Sequence, residues 1–364
     1  MKSLPLISIC LLLAFSTFAQ SLFKADTANL RKARKHASWD TLRYQKFNSN
    51  LIIGYFQSYR NFGNEFEQFK EKDTVGISKT NYFAESRLVS GIDITYDKFS
   101  LALGLRTTPP KQSEGKGNTK TITTNFNFGG NIWFLENSFR YFKGFYDKNT
   151  ATYDTTFKKT GIYYQQPSLE NTLFRSKFIY FPNHYNYAFR SGYAGSYRQI
   201  RSAATWVLSA SVSYNNLRCD SSFFPMPSRA FYGNYKDMNG LKVIGTSVNF
   251  GAAGALVIFK AFFVSGMLII GPEQQWRTYN YINEGKRPLS YVSWSGDGRG
   301  SFGLNLKRFY MVGTFISDFA IYNSGFVGVL NTSISGSFSF GWRFRSKTPK
   351  AYKKFQQTRF YLAI

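Results

Sequence analysis

The stretch from Leu88 to Arg106 limits what this chain can fold into more than any other. Phe99, Leu101, Leu103 and Leu105 alternate with Ser100, Ala102, Gly104 and Arg106, while Leu88, Ile92, Ile94 and Tyr96 oppose Arg87, Gly91, Asp93 and Thr95. A period of two sends each set to its own face of a strand. Only Asp97 and Lys98 separate the runs, which is the length of a tight hairpin turn. One face is greasy and ends on aromatics; the other is small, polar or charged. A water-soluble sandwich shows similar alternation, so the hairpin by itself leaves the surrounding medium open.

The first residues narrow that choice. A basic start at Lys2, an apolar run through Phe15 and small residues at Thr17 and Ala19 have the layout of a secretory signal peptide over residues 1–19, cut before Gln20. The run is too short for a membrane anchor. Cys10 lies inside it, which sets a lipoprotein aside. The mature chain keeps Cys219 alone, hence no internal disulfide and no cysteine metal cluster. Exported, one-sided strands predict an all-β fold: a transmembrane, antiparallel, up-and-down β-barrel in the cell outer membrane.

Composition agrees. Aromatics form 19% of the chain, yet mean hydropathy is −0.29, as expected of strands apolar on one side, with aromatic girdles and polar loops. The net charge of +26 suits outer-membrane lipid and lipopolysaccharide phosphates. No compact nucleic-acid module is visible, so nucleic acid is not an expected partner.

In chain order, residues 20–46 read as a basic periplasmic lead-in carrying Arg31-Lys32-Ala33-Arg34-Lys35, 47–344 as the barrel, and 345–364 as a basic periplasmic tail. Expected strands cover 51–60, 88–96, 99–106, 122–134, 139–146, 186–195, 203–214, 243–258, 261–270, 289–306, 309–322 and 329–344. That is about twelve, with ten or fourteen as alternatives. Bacterial barrels have even counts, short periplasmic turns and longer outer loops. With both termini periplasmic, connectors at 97–98, 135–138, 196–202, 259–260 and 307–308 fall inside, and the long segments from 61, 108, 147, 215 and 272 fall outside. Residues 171–181 go to an outer loop, as a small hairpin, because a full strand there would invert every later loop. Gly251 to Ile270 is long enough for a membrane helix, but Lys260 would sit at its centre at a cost of about 2.5–3.5 kcal/mol. A hairpin turning at Phe259-Lys260 puts the lysine at the membrane boundary and is preferred. Its lumen face would be unusually apolar, with Ala261, Phe263 and Met267.

Two stretches resemble a known family. Gly130-Asn131-Ile132-Trp133 with Arg140-Tyr141-Phe142-Lys143-Gly144-Phe145-Tyr146 is similar to a Lys-Trp…Lys-Gly-[Phe/Tyr]-Tyr pattern, with Asn131 and Ile132 where a basic residue is usual. Asn183, Tyr187-Ala188-Phe189-Arg190 and Gln199-Ile200-Arg201-Ser202-Ala203-Ala204-Thr205 are similar to Asn…[Phe/Tyr]-Ser-x-Arg…Gln-x-x-Ser-Ala-Gly-Ser, with Ala188 for the Ser and Ala204-Thr205 for the Gly-Ser. Both patterns belong to the DUF4421 family of Bacteroidetes outer-membrane barrels. The resemblance implies a barrel and a location over nearly all of the mature chain, and singles out Trp133, Lys143, Asn183, Arg190, Gln199 and Ser202. It brings no activity. Four tripeptides are also similar to the Asp-[Ser/Thr]-apolar O-glycosylation signal of that bacterial group, with Thr27, Thr41, Thr74 and Thr155 as acceptors.

Catalytic chemistry is sparse. His36 and His184 lack a metal-ligand companion, and no serine motif accompanies His184. Gly296-Asp297-Gly298-Arg299-Gly300 alone is a weak phosphate or calcium loop, better read as glycine kinks in a curved strand. There is no P-loop, zinc-protease motif or nucleophile elbow, so neither cofactor nor metal is expected and the chain is read as no enzyme.

The lumen is more informative. Arg60, Arg87 and Arg106 are expected to point inward from the outer ends of three consecutive strands. They form either a basic constriction for anions or charges paired with lumen carboxylates that plug the barrel. Arg190 and Gln199 are expected lower down, bonding Asp93. The expected role is a structural or scaffold subunit binding other outer-membrane or periplasmic proteins through its loops or periplasmic ends. The alternative is a narrow pore for small solutes, with a lipid-acting enzyme a distant third.

Overall fold

The computed structural model describes residues 41–47, 50–68, 78–85, 88–107, 115–282, 285–323, 327–356 and 361. Its strands are β1 (Tyr44–Lys46), β2 (Asn50–Gln68), β3 (Lys79–Phe83), β4 (Val89–Tyr96), β5 (Phe99–Arg106), β6 (Lys120–Gly129), β7 (Trp133–Asp147), β8 (Gln165–Tyr180), β9 (Tyr197–Gln199), β10 (Ala203–Arg218), β11 (Met238–Ile258), β12 (Phe262–Tyr281), β13 (Gly285–Asn305), β14 (Phe309–Asn323) and β15 (Val327–Arg345). Twelve of them, all but β1, β3 and β9, form an antiparallel ring that closes where β15 pairs along the whole of β2. Closure satisfies the backbone without water, the condition for crossing lipid. No helix among the described residues is long and apolar enough to cross a membrane.

The wall changes along its height. Leu51 to Ser58 of β2 pair with β4, but Gly63 to Glu67 pair with β3, which meets β7 at Tyr82↔Asp147 and Phe83↔Tyr146. The short strands β4–β6 are thus bypassed, and twelve strands near the termini become ten at the far end. The narrowing brings Phe62 of β2 and Phe142 of β7 into a stack at 4.4 Å. β13 pairs with β14 only from Ser295 downward. Its upper half, paired with β12 alone, carries Lys286, Arg287 and Pro288, the residues that guard a free edge.

Period-two alternation fixes the wall's two faces. On β12, Phe262, Val264, Leu268 and Ile270 are exposed, while Phe263, Ser265, Met267 and Ile269 are buried in the lumen. The outward apolar run from Phe262 to Pro272, at about 3.3 Å per residue and a tilt near 40°, climbs about 25 Å, the height of an outer-membrane belt.

The expected count of twelve emerges through two exchanged segments. Residues 186–195 are not a wall strand; they enter the lumen and carry a short helix, α3 by chain order after α1 (Thr150–Tyr153) and α2 (Phe157–Thr160), over Arg190–Tyr193. The wall strand is β8, which covers 171–180 of the stretch 171–181 expected in an outer loop. One strand replaces the other, so no later loop inverts. The turn between β6 and β7 lies at 130–132 rather than 135–138, where Leu135 to Ser138 pair with both neighbours. β2 runs on to Gln68, β10 to Arg218 and β12 to Tyr281, so the polar segments expected to loop out from 61 and 272 begin as wall. Polar residues are no signal against a strand once it has left the lipid. The turn at Phe259-Lys260 is a hairpin, with both residues left-handed (φ 50° and 58°), the geometry of a type I′ turn.

Candidate functional site

The lumen is filled in three layers. At the end carrying the termini, the segment 181–202 folds into the barrel as a plug. Phe181, Tyr187 and Phe189 pack there against Phe134, Ile179, Val207, Ala253, Ala255, Met267 and Ile269 of the wall. Phe263, with Phe47, Ile52, Tyr310 and Val312, forms a neighbouring cluster. The apolar lumen face that the sequence left unexplained is therefore the seat of the plug.

Polar bonds lock the plug in register. Arg190, wholly buried, donates to the carbonyl oxygens of Gly129 (2.9 Å) and Asp97 (3.2 Å) and to Ser100 Oγ (2.9 Å). Burial pulls its guanidinium below the ordinary value, against the pull of Tyr197 and Asp97. Asn131 Nδ2 donates to Tyr44 Oη (3.0 Å) and to the carbonyls of His184 (2.9 Å) and Tyr187 (2.6 Å). Tyr44 Oη donates in turn to the His184 carbonyl at 2.8 Å. β1 pairs with β9 of the plug, so the N-terminal lead-in ends inside the barrel. Burial holds the His184 imidazole below its ordinary value.

Above the plug lies a layer of ion pairs. Asp297, buried, accepts from Lys177 and from Arg299 Nε (2.8 Å) and a terminal nitrogen (2.8 Å). Arg299 also grips both oxygens of Glu136, and its guanidinium lies 5.8 Å from the ring of Phe189. Asp318 accepts from Arg175 and from Arg140 at 3.3 Å. Arg140 also donates to Ser333 Oγ at 2.9 Å. Against this layer sits a chamber of about 60 Å³ whose lining includes Arg140, Arg175, Asn249 and Glu273.

The far end is capped by segment 219–237. Phe223, Phe224, Tyr232 and Met238 pack with Phe62, Phe66, Phe142, Leu217, Tyr279 and Tyr322 in the largest apolar cluster. Tyr232 Oη donates to the Phe66 carbonyl, and Tyr82 Oη to that of Phe223.

The residues singled out from sequence fall as follows. Arg60 does face the lumen, but midway along β2 rather than at its outer end; Arg140 and Asp318 are the charges acting on it. Arg87 lies outside the described residues, and of Arg106 only the backbone, paired with Val89, is described. Separately from those three, Arg140, Arg175, Lys177 and Arg299 face the lumen, each paired with a carboxylate. Asp93 accepts from Tyr310 Oη at 3.0 Å and from neither Arg190 nor Gln199. Gln199 instead accepts from Ala188 N (2.8 Å) and donates to the Asn186 carbonyl (2.6 Å). Asn183 ties the plug to the Ala204 carbonyl, and Ser202 Oγ accepts from Val257 N. Trp133 stands on the rim near the termini, facing away from the lumen between Phe128 and Phe178. Lys143, exposed, reaches Glu170 at 3.9 Å. Thr41 and Thr155 are exposed; Thr27 and Thr74 lie outside the described residues. No metal-binding cluster occurs among the described residues. The sequence reading missed Asp297 and Arg299. Their signal was Gly296-Asp297-Gly298-Arg299-Gly300, in which alternation with glycine sends both charges inward.

Solved outer-membrane barrels are similar to this chain. The outer-membrane protease OmpT from Escherichia coli is 7% identical, covering 82% of this chain and 98% of its own, with a TM-score of 0.39. The translocator domain of the autotransporter NalP from Neisseria meningitidis is 12% identical over 90% and 98%, at 0.33. The toluene transporter TodX of P. putida is 6% identical over 82% and 91%, at 0.27. These likenesses carry no argument about a role. A protease stands among the matched barrels, against the reading of the chain as no enzyme, and at 7% identity that likeness assigns this chain no activity. No curated protein matches the sequence. A family model described as a domain of unknown function, DUF4421, matches residues 39–344, plug, ion layer and cap included, and the chain belongs to that family.

Proposed function

We propose that this chain is a closed barrel of the outer membrane, a scaffold that docks a partner protein on its outer loops or on the periplasmic end carrying both termini. The observation that carries this reading is the filling of the lumen by plug, ion pairs and cap. A passage for solutes would need the apolar clusters at both ends to come apart. The docked tail supports a working periplasmic end. Helix α4 (Lys350–Gln356) rests Tyr352 and Phe355 on the rim residue Phe99, and Tyr352 Oη donates to Asp97 at 3.0 Å. Burial beside Asp97 pushes the Tyr352 phenol well up. Lys350, Lys353 and Lys354 stay exposed beneath the rim, a charge pattern that suits an acidic partner surface or lipid phosphates.

Planar-bilayer recording tests the reading. The native barrel is expected to stay silent, and a variant with residues 183–200 and 219–237 both replaced by short glycine linkers, which removes plug and cap together, is expected to conduct. A stable open conductance from the native protein overturns it in favour of a pore for small solutes. Capture of a defined partner from detergent extract, lost when residues 346–364 are removed, supports docking at the periplasmic end.

A further inference from the structure

We propose that the mid-lumen chamber is an anion site, holding one small monovalent anion of halide or carboxylate type against Arg140, with Arg60 adding its charge from beyond the lining. The first ground is space. A chamber of about 60 Å³ holds about four water-sized bodies, enough for a chloride with water or for a formate-sized carboxylate. It is too small for a sugar acid.

The second ground is unpartnered polarity. Arg140 Nε is buried and has no hydrogen-bond partner, and the same is true of Arg60 Nε behind it. On the chamber wall, Asn249 Oδ1 is also unpartnered; as an acceptor it takes a water beside the anion and not the anion itself. Buried polar atoms of this kind are normally satisfied, so the chamber is built around an occupant.

The third ground is charge. Arg140 and Arg175 share Asp318, Lys177 takes Asp297, and Arg299 takes Glu136 and Asp297. Arg60 has no ion-pair partner among the described residues. Glu273, on the chamber wall, is the remaining carboxylate and is held by Ser213 at 3.3 Å. Counting Glu273, the layer carries one positive charge more than its carboxylates. Water satisfies an N–H but leaves that charge uncompensated, which is costly in a water-poor interior. A monovalent anion balances it; a dianion would overshoot.

The test uses the whole native protein. Crystals grown with bromide in place of chloride should give an anomalous peak in the chamber beside Arg140 Nε. In detergent, the midpoint of heat modification should rise by about 2–4 °C in chloride over gluconate at equal ionic strength. Arg60→Met should abolish that difference and Arg60→Lys should keep it. A chamber without a bromide peak, or a chloride dependence that survives Arg60→Met, overturns the proposal. The bromide peak decides alone if the methionine variant does not fold.

Discussion

Arg299 of β13 holds Glu136 of β7 across the barrel, its two terminal nitrogens 2.5 and 2.6 Å from the two carboxylate oxygens. The same guanidinium serves Asp297, so one side chain neutralises two buried acids. Arg299→Leu strands Glu136 and leaves Asp297 to Lys177 alone, and should destabilise the barrel by about 3–5 kcal/mol, read as a shifted urea midpoint in micelles. Glu136→Gln leaves Asp297 to take the whole charge and should cost less. The two changes should be strongly non-additive in a double-mutant cycle.

Arg190→Met should loosen the plug and spare the wall. It leaves the Gly129 and Asp97 carbonyls without the donor seen here, at a cost of about 2–4 kcal/mol. The expected outcome is faster proteolysis within 183–200, with the folded barrel still heat-modifiable. Arg190→Lys should not rescue, because an ammonium cannot fork to three acceptors on separate elements.

Plug stability should fall on acidification. Burial, with Lys46 nearby, holds His184 below its ordinary value against backbone bonds at Phe181 and Pro182. A depressed histidine favours its neutral form in the folded state. Stability is therefore full above the ordinary value of about 6.5 and is lost as pH falls below it. Cleavage within 183–200 should be faster at pH 5.5 than at pH 7.5, and His184→Gln should flatten the difference.

The turn at Phe259-Lys260 offers a check on depth. Both residues are exposed and left-handed, so replacing them with Asn-Gly should stabilise the hairpin by about 1 kcal/mol. Lys260→Leu should change stability by less than about 1 kcal/mol, as for a charge at the membrane boundary. Lys260→Cys should label readily with a bulky thiol reagent added from the side of the termini. Protection of that cysteine would contradict the strand order.

Thr155 is one of two described threonines in Asp-Thr motifs, both exposed. It is exposed, and the neighbouring Asp154 carboxylate is occupied by Thr156 through N (2.8 Å) and Oγ1 (2.7 Å), which holds the turn open to an enzyme. Intact mass of native protein should exceed that of the bare chain by a glycan, and Thr155→Ala should remove it if this site carries the sugar. A bare mass in the native protein ends the idea.

Strand periodicity was legible wherever one face meets lipid, as in Phe99 to Leu105 or Phe262 to Ile270. It failed where both faces meet protein or water. β8 reads Gln165 to Tyr180 with Arg175 and Lys177 inward, and its polar residues disguise a wall strand as a loop. Residues 186–195 carry Tyr187 and Phe189 at alternate positions, the signature of a strand, yet both rings are buried in the plug. Period two records which side is apolar and is blind to whether that side faces lipid or the lumen. The ion layer was hidden for another reason. Its partners sit on β7, β8, β13 and β14, far apart in sequence, and only ring closure brings them together.

Because β1 is paired with β9, the chain at Tyr44 is fixed to the plug rather than to the wall. A pull on the chain there loads the Tyr44–Asn131–His184 knot and the three β1–β9 residue pairs long before it strains the wall ladders. The molecule thus has its mechanical weak point at the mouth that carries the termini, and tension applied there is directed toward unseating the plug while the cylinder stays whole.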